Sequence, residues 1–387
     1  MKLVEIGKLC KLQNGKAFKP TEWSDKGLPI VRIQNLNNEE KPFNYCDFDV
    51  DKKFHIDSGD LLFSWSGTPG TSFGAFFWHR GPAILNQHIF NVLIDESLVR
   101  KDYFRLAMNA KLDEIIAQAH GGVGLQHITK GKLEAVKIPL PPLETQKKIA
   151  AVLEKADQLR KDCKLLEQEL NSLAQSVFID MFGDPVTNPK GWEIVTIGDL
   201  LLSANYGTSE KASTEKKKYP VLRMNNITYE GNWDFSSLKY MDMSEDDEDK
   251  YLVESGDILF NRTNSKELVG KTAVYREATP MAYAGYLVRA RCNELAHPEY
   301  ISSFMNSRFT KKTLQSMCKS IVGMANINAK EFQKISVAKP PIELQQEFAR
   351  RVEAIRAEVE ATKQQGYEYD HLFNSLMQKA FKGELTL

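Results

Sequence analysis

Cysteine is scarce in this chain, and its placement excludes more than it suggests. The five thiols, Cys10, Cys46, Cys163, Cys292 and Cys318, are odd in number and form no CxxC pair. That usage argues against a disulfide framework and against a zinc ribbon, and fits free thiols in a reducing compartment. Long hydrophobic runs are also missing: no stretch approaches the roughly 18 apolar residues that a membrane span needs. The opening residues, MKLVEIGKLCKLQNGK, lack the apolar core of a signal peptide. The expectation is a cytoplasmic protein with no membrane partner. Charge of one sign is absent too. Lys and Arg number 51 against 51 Asp and Glu, a net charge of zero. A nucleic-acid partner would therefore have to be met by local clusters, since there is no bulk basic field.

The patterns of catalysis are equally thin. Val269-Gly270-Lys271-Thr272 ends like a phosphate loop, but Ser265 stands where the first glycine is required, so the loop cannot wrap phosphates. Gly122-Val123-Gly124 runs into Leu-Gln-His and is no dinucleotide fingerprint. The seven histidines (55, 79, 88, 120, 127, 297 and 371) make no H-E-x-x-H. Tripeptides such as Glu39-Glu40-Lys41 and Glu215-Lys216-Lys217 arise by chance in a chain that is 26% charged, and no Pro-Asp precedes them. The Asn-Pro-Pro-aromatic pattern with which amino-methyltransferases grip a flipped base is absent. The chain reads as non-catalytic and as holding no metal.

What is present is a long helix and a duplication. After Leu140-Pro141-Pro142 there is no proline until Pro185, and apolar or small residues recur at Ile149, Val152, Ala156, Leu159, Cys163, Leu166, Leu170, Leu173 and Val177. The alternating steps of three and four predict a coiled-coil seam, opened by the proline pair and closed by Gly183-Asp184-Pro185. A second such segment follows Pro340-Pro341, with a seam at Phe348, Val352, Ile355, Val359, Thr362, Gly366, Tyr369, Phe373, Leu376 and Ala380. Its middle, Thr362 to Gly366, is the weak part. Pro141-Pro142 and Gln146 map onto Pro340-Pro341 and Gln345, whereas Asn171-Ser172-Leu173 map onto Asn374-Ser375-Leu376 four residues later. One extra turn in the second helix is expected.

The repeat extends over the rest of the chain. Leu28-Pro29-Ile30-Val31-Arg32-Ile33-Gln34-Asn35 matches Tyr219-Pro220-Val221-Leu222-Arg223-Met224-Asn225-Asn226. Ser58-Gly59-Asp60 matches Ser255-Gly256-Asp257, and Tyr103 with Met108-Asn109 matches Tyr300 with Met305-Asn306. One unit is used twice, and each copy is large enough for its own core. Short strands are predicted at Val4–Ile6, Pro29–Ile33, Asp60–Ser64, Phe73–Trp78 and Ile89–Ile94, and helices at about 101–119 and 298–318. Gly67-Thr68-Pro69-Gly70 and Gly121-Gly122-Val123-Gly124 read as loops, and Asp246-Asp247-Glu248-Asp249 as a solvated loop. The fold class is α+β: two similar domains of small mixed or antiparallel sheets with helices (1–143 and 185–341). Each precedes a long helix (144–184 and 342–387), and the two helices pair as an antiparallel coiled coil. Lys plus Arg against Asp plus Glu run 18 to 16, 6 to 8, 21 to 19 and 6 to 8 over the four segments in chain order, so the helices are the acidic parts.

Leu85-Asn86-Gln87-His88, Gly124-Leu125-Gln126-His127-Ile128 and Ile138-Pro139-Leu140-Pro141-Pro142-Leu143-Glu144-Thr145-Gln146, followed by a long helix and all duplicated, resemble the specificity subunit of type I restriction–modification systems. The second copy departs from this, with Ala284-Gly285-Tyr286 for Asn86-Gln87-His88 and Ala338-Lys339-Pro340 for Pro139-Leu140-Pro141. The resemblance implies two target-recognition domains, each reading half of a split double-stranded DNA site, held apart by the helices. It implies no catalysis and no cofactor on this chain. Two modification subunits would methylate adenines with S-adenosylmethionine, and restriction (motor) subunits would use ATP and Mg. Amide, guanidinium and ammonium side chains on loops can pair with base edges, and hydroxyls with phosphates. The candidates are Arg32, Asn35, Ser64, Trp65, Ser66, Thr68, Gln87, His88, Gln126 and His127 in the first domain. In the second they are Tyr206, Arg223, Asn225, Asn226, Asn261, Arg262, Asn264, Lys266 and Asn326. Two readings stay open for Arg32/Arg223 and Asn35/Asn226, base contact or a structural hydrogen-bond pair, and for Trp65, contact or packing. The polar, turn-rich Arg262–Lys266 loop is the foremost candidate.

Overall fold

The computed structural model describes residues 1–68, 72–122, 125–321 and 324–386. Pro69, Gly70, Val123, Gly124, Val322 and Gly323 lie outside the described residues. The chain forms two compact units, Met1–Cys163 with Gln365–Leu387, and Lys164–Gln364.

In the first unit, Leu61-Leu62-Phe63-Ser64 is buried on both faces. Alternation sends Leu61 and Phe63 to a cluster with Leu12, Phe90 and Tyr103, and Leu62 to another with Val31, Trp78 and Ile89. The strand lies in an antiparallel sheet ordered Cys10–Asn14, Ile89–Ile94, Leu61–Ser64, Gly74–Phe77. A second sheet is ordered Asn44–Cys46, Leu28–Val31, Ala83–Leu85, His55–Ile56, its middle pair parallel. A small third sheet joins His120–Gly122, Leu125–His127 and Ser66–Gly67.

The second unit repeats all three orders. Leu201–Tyr206, Leu287–Cys292, Ile258–Asn261 and Thr272–Val274 form the first sheet. Lys239–Met241, Tyr219–Leu222, Met281–Tyr283 and Leu252–Val253 form the second, again with a parallel middle pair. Thr263–Asn264, Met324–Asn326 and Lys319–Ile321 form the third.

Residues shared by the two copies are mostly internal staples. Gln146 and Gln345 are both 0% exposed. The Gln146 carbonyl accepts from Arg100 N (2.9 Å), and its amide donates to Leu98 O (3.2 Å) and Pro141 O (2.8 Å). Gln345 does the same with His297 N (2.8 Å), Leu295 O (3.1 Å) and Pro340 O (2.8 Å). Each glutamine thus ties a proline turn to the start of the helix at Lys101 or Pro298. Tyr103 and Tyr300 donate to Pro139 O and Ala338 O, 2.7 Å in both units. Gly15 and Gly207 permit close backbone approach: an added Cβ would lie 2.2 Å from Leu85 O and 2.3 Å from Tyr283 O.

The long helices are Leu143–Phe182 and Ile342–Lys382, 40 and 41 residues. The extra turn of the second is offset at its end. The first runs four residues past Phe178, and the second only one past the matching Phe381. In each unit the two helix segments pack antiparallel. In the first, Cys163 meets Gly366, and Arg160 meets Asp370 and lies 4.3 Å from the Phe373 ring. In the second, Glu167 meets Lys363, and Phe178 meets Phe348. The aromatic contacts correspond in the two copies, since Phe381 packs on Tyr103 at 5.6 Å and Phe178 on Tyr300 at 5.7 Å.

Several expectations need correction. In the first helix Val152, Leu166 and Leu173 are 37%, 40% and 44% exposed, while Leu153 is buried. The fully buried positions along its inner face include Ile149, Leu153, Ala156, Cys163 and Phe178, so Leu153 and Phe178 stand one residue later than Val152 and Val177 of the apolar periodicity. The second seam stands, and its weak middle is covered, with Thr362 3% exposed. The expected single helices are each broken in two, Lys101–Ala110 with Leu112–Ala117, and Pro298–Asn306 with Arg308–Met317. At the second break Ser307 is extended and its Oγ accepts from Thr310 N at 3.2 Å, a cap that starts a new helix. Ile6 leaves its strand for a 3-10 turn, and Ile33 opens a short helix. The acidic block is solvated but helical (Glu245–Tyr251), its carboxylates clustered in the first turn where the helix dipole favours them.

Candidate nucleic-acid interface

In each unit the residue after the central strand is pinned between two other segments by its backbone. Trp65 N donates to His88 O (3.3 Å), and Trp65 O accepts from Ile128 N (3.0 Å). Arg262 N donates to Tyr286 O (3.0 Å), and Arg262 O accepts from Ile327 N (2.9 Å). One residue on, Ser66 pairs with His127 and Thr263 with Asn326. The backbone frame is the same in both copies, and the side chains it carries are not.

In the first unit, Trp65 stacks on Phe90 (5.7 Å between centroids, 29°) and lies 5.4 Å from His88. Gln87 Nε2 sits 3.1 Å from His88 Nε2. Burial pulls the His88 pKa down, which keeps the imidazole neutral at pH 7. His127 and Thr68 are exposed, Gln126 is half-buried, and Ser66 is 7% exposed. Trp65 therefore does serve packing, with one side of the ring committed to Phe90.

In the second unit the Arg262 guanidinium lies over Tyr206, 4.7 Å from the ring centroid. Its Nη atoms donate to Gly285 O and Asn326 Oδ1, both at 3.4 Å. Asn326 donates onward to Thr263 Oγ1 (2.9 Å), and Tyr206 Oη accepts from Ala329 N (3.0 Å). Asn264 turns its Oδ1 to Ser265 N (2.9 Å), and Lys266 stands exposed. The long 3.4 Å contacts hold Arg262 loosely enough for its donors to be redirected.

Other candidates are drawn into the fold to differing degrees. Asn35 is 0% and Asn226 1% exposed. Asn35 Oδ1 accepts from Arg32 N (3.1 Å), and its amide donates to Lys41 O and Pro42 O. Asn226 accepts from Arg223 N (2.9 Å) and donates to Asp234 O and Ser237 O. Both asparagines close a turn after a strand. Arg32 is tied to Asn44 Oδ1 (3.0 Å) beside Trp23, and Arg223 to Ser237 O (2.7 Å). The two asparagines are structural, the two arginines are half-buried with one side-chain bond each, and the neighbouring Asn225 is exposed. Ser64 and Asn261, both 0% exposed, lie beneath the surface as well. Sequence reasoning missed one residue: Tyr286, 54% exposed, occupies the place of His88. The alignment of Ala284-Gly285-Tyr286 with Asn86-Gln87-His88 is the signal that could have found it.

No group of three or more His, Cys, Asp or Glu could hold a metal among the described residues, and no helix there is long and apolar enough to cross a membrane. Fold and site together define a duplicated recognition module, with one frame used twice to present two different polar surfaces.

Comparison with known proteins places the module. The type I restriction modification DNA specificity domain matches twice, over residues 1–174 and 189–368. The chain belongs to that family. It is 26% identical to the type I restriction enzyme EcoKI specificity subunit of Escherichia coli strain K12, over 94% of this chain and 83% of the relative. It is 23% identical to the EcoBI specificity subunit of Escherichia coli, over 99% and 86%. Among solved structures, the S subunit of a type I restriction-modification system from M. genitalium superposes with a TM-score of 0.60 at 14% identity, covering 98% and 96% of the two chains.

Proposed function

We propose that this chain is the DNA-reading subunit of a type I restriction–modification complex, and that each unit's frame addresses one half of an asymmetric, bipartite duplex site. The duplicated frame carries the proposal. Equivalent backbone bonds hold Trp65, His88 and His127 in one copy and Arg262, Tyr286 and Asn326 in the other. A shared scaffold with unlike side chains is what a reader of two unlike half-sites requires. Arg262 and Asn326 are the types that pair with guanine and adenine edges, whereas Trp65 and His127 offer an apolar face and single donors or acceptors. Gln87, Gln126, Thr68, Asn225, Asn264 and Lys266 flank them as base or phosphate contacts.

The chain itself performs no chemistry in this reading. Two modification subunits dock on the outer faces of the long helices and methylate adenine with S-adenosylmethionine, and restriction subunits supply ATP- and Mg-dependent translocation and cleavage in the cytoplasm. Leu165, Leu166, Leu173 and Ile179, 40% to 54% exposed along the first helix, are an apolar surface suited to such a partner.

The test is duplex binding by the full chain with a partner methyltransferase subunit. A duplex selected from a random pool should bind about 10³-fold or more tightly than random duplex at physiological salt. Equal binding of selected and random duplexes would refute sequence reading.

A further inference from the structure

Buried polar atoms almost always find a hydrogen-bond partner, and a cluster of those without one calls for an explanation, an ordered water being the commonest. Eleven buried side-chain atoms have no partner among the described residues, and seven of them belong to Ser64, Trp65, His88, Gln126, Asn261 and Arg262. The orphans therefore gather at the two reading frames and are sparse elsewhere. Asn261 is the extreme case: at 0% exposure, neither its Oδ1 nor its Nδ2 is bonded. The matching Ser64, also 0% exposed, has an unbonded Oγ. Each is the last residue of its strand, directly before Arg262 or Trp65.

Their setting is the same in both copies. Alternation puts Asn261 on the side of Leu259 and of its cross-strand neighbour Leu287, both members of one apolar cluster. Ser64 likewise shares its side with Leu62 and its cross-strand neighbour Ile89. The main chain of Asn261 is fixed to Lys271 O (2.9 Å) and Gly270 N (2.8 Å), so only the side chain is unsatisfied. A donor and acceptor at the rim of an apolar layer, at the same step of both repeats, suits one small ligand that both accepts and donates. That ligand is water.

We propose that Asn261 and Ser64 are positioning residues, each holding a buried water that braces the reader following it. This rests on the DNA-reading function proposed above. An amide and a hydroxyl then do one job in two domains, and the strand end that aims Arg262 or Trp65 depends on polarity at that position as well as on volume.

The test uses the full chain with its partner methyltransferase, selecting sites from random duplex and also measuring affinity for random duplex. Asn261→Ala should lower discrimination about tenfold in one half-site, leaving the other half and non-specific affinity unchanged, as the loss of one buried polar bond would do. Asn261→Ser, which keeps a donor and acceptor, should retain most of it. If Asn261→Ala leaves both halves unchanged, or Asn261→Ser loses as much as Asn261→Ala, the proposal is overturned. Should Asn261→Ala fail to fold, Ser64→Ala, which removes a single oxygen, carries the test in the opposite half: a tenfold loss there supports the proposal, and no loss overturns it. Failure of the wild type to select any sequence would overturn the DNA-reading proposal and this one with it. Wild-type selection with unchanged variants would overturn this one alone.

Discussion

Replacing Gln146 by Met keeps nearly the same volume and removes all three of its hydrogen bonds. Arg100 N–H, Leu98 C=O and Pro141 C=O lose their partner beside a side chain that is 0% exposed. Each net bond is worth about 1 kcal/mol and a stranded buried group costs about 1–3 kcal/mol, so the expected loss is about 3–5 kcal/mol. Urea unfolding of the full chain measures it, and hydrogen exchange locates it, because the Arg100 amide should exchange faster while DNA discrimination is unchanged. Gln146→Glu sharpens the test. A carboxylate cannot donate to the two carbonyls, so its folded pKa is raised above the glutamate range. Stability from a raised group is present below the unfolded pKa and lost as pH rises through the folded pKa. The penalty of Gln146→Glu relative to wild type should therefore shrink toward pH 4 and be full at pH 8. A cost below about 1 kcal/mol for Gln146→Met, or a penalty independent of pH, would refute the staple.

Three further outcomes are expected. Burial opposes ionisation of Glu299, but the bidentate bond from Arg276 (2.6 and 2.8 Å) and the nearby Arg356 (3.2 Å) outweigh it and hold the carboxyl below its ordinary range. Its stabilising contribution should be present above the unfolded pKa and lost as pH falls through the depressed folded value. Glu299→Gln should therefore cost about 3–5 kcal/mol at pH 7 and less in acid, read by denaturant unfolding at each pH. Gly207→Ala would drive a Cβ to 2.3 Å from Tyr283 O, so the melting temperature should fall by several degrees, whereas Gly59→Ala meets nothing within 4 Å and is limited to backbone strain at φ +94°. Leu173→Asp, on an exposed helix face, should leave the melting temperature within a degree or two and weaken modification-subunit binding, measured by calorimetry; unchanged binding would remove that face from the docking surface.

The duplication was legible because it preserves residues that the fold cannot exchange. Gln146/Gln345 and Asn35/Asn226 repeat in sequence since each satisfies several backbone groups at one place, and Tyr103/Tyr300 since each reaches one buried carbonyl. The same logic counts against Asn35 and Asn226 as readers: they are buried and repeat for structural reasons, and repetition is the opposite of what a pair of unlike readers should show. Tyr286 stood opposite His88 in the repeat alignment, but only the backbone bond from Arg262 shows that the two occupy the same place in the frame. Part of the first helix seam was misplaced because Val152, Leu166 and Leu173 are apolar yet outward-facing, and hydrophobicity alone cannot tell a core stripe from an exposed one. Ser64 and Asn261 share their side of the strand with residues that join apolar clusters drawn from the second sheet, a long-range event with no local signature.

The central claim is that one frame, used twice, reads two different sequences, and paired variants at its matching positions test it most directly. Sites are selected from random duplex by wild type, Trp65→Ala and Arg262→Ala, each as the full chain with its methyltransferase partner. The wild type should yield two unlike half-sites at a fixed separation. Arg262→Ala should relax one half by about 1–3 kcal/mol at the affected base pair, and Trp65→Ala should relax only the other. A single contiguous site, a symmetric one, or a loss of discrimination in both halves from either variant would contradict the account.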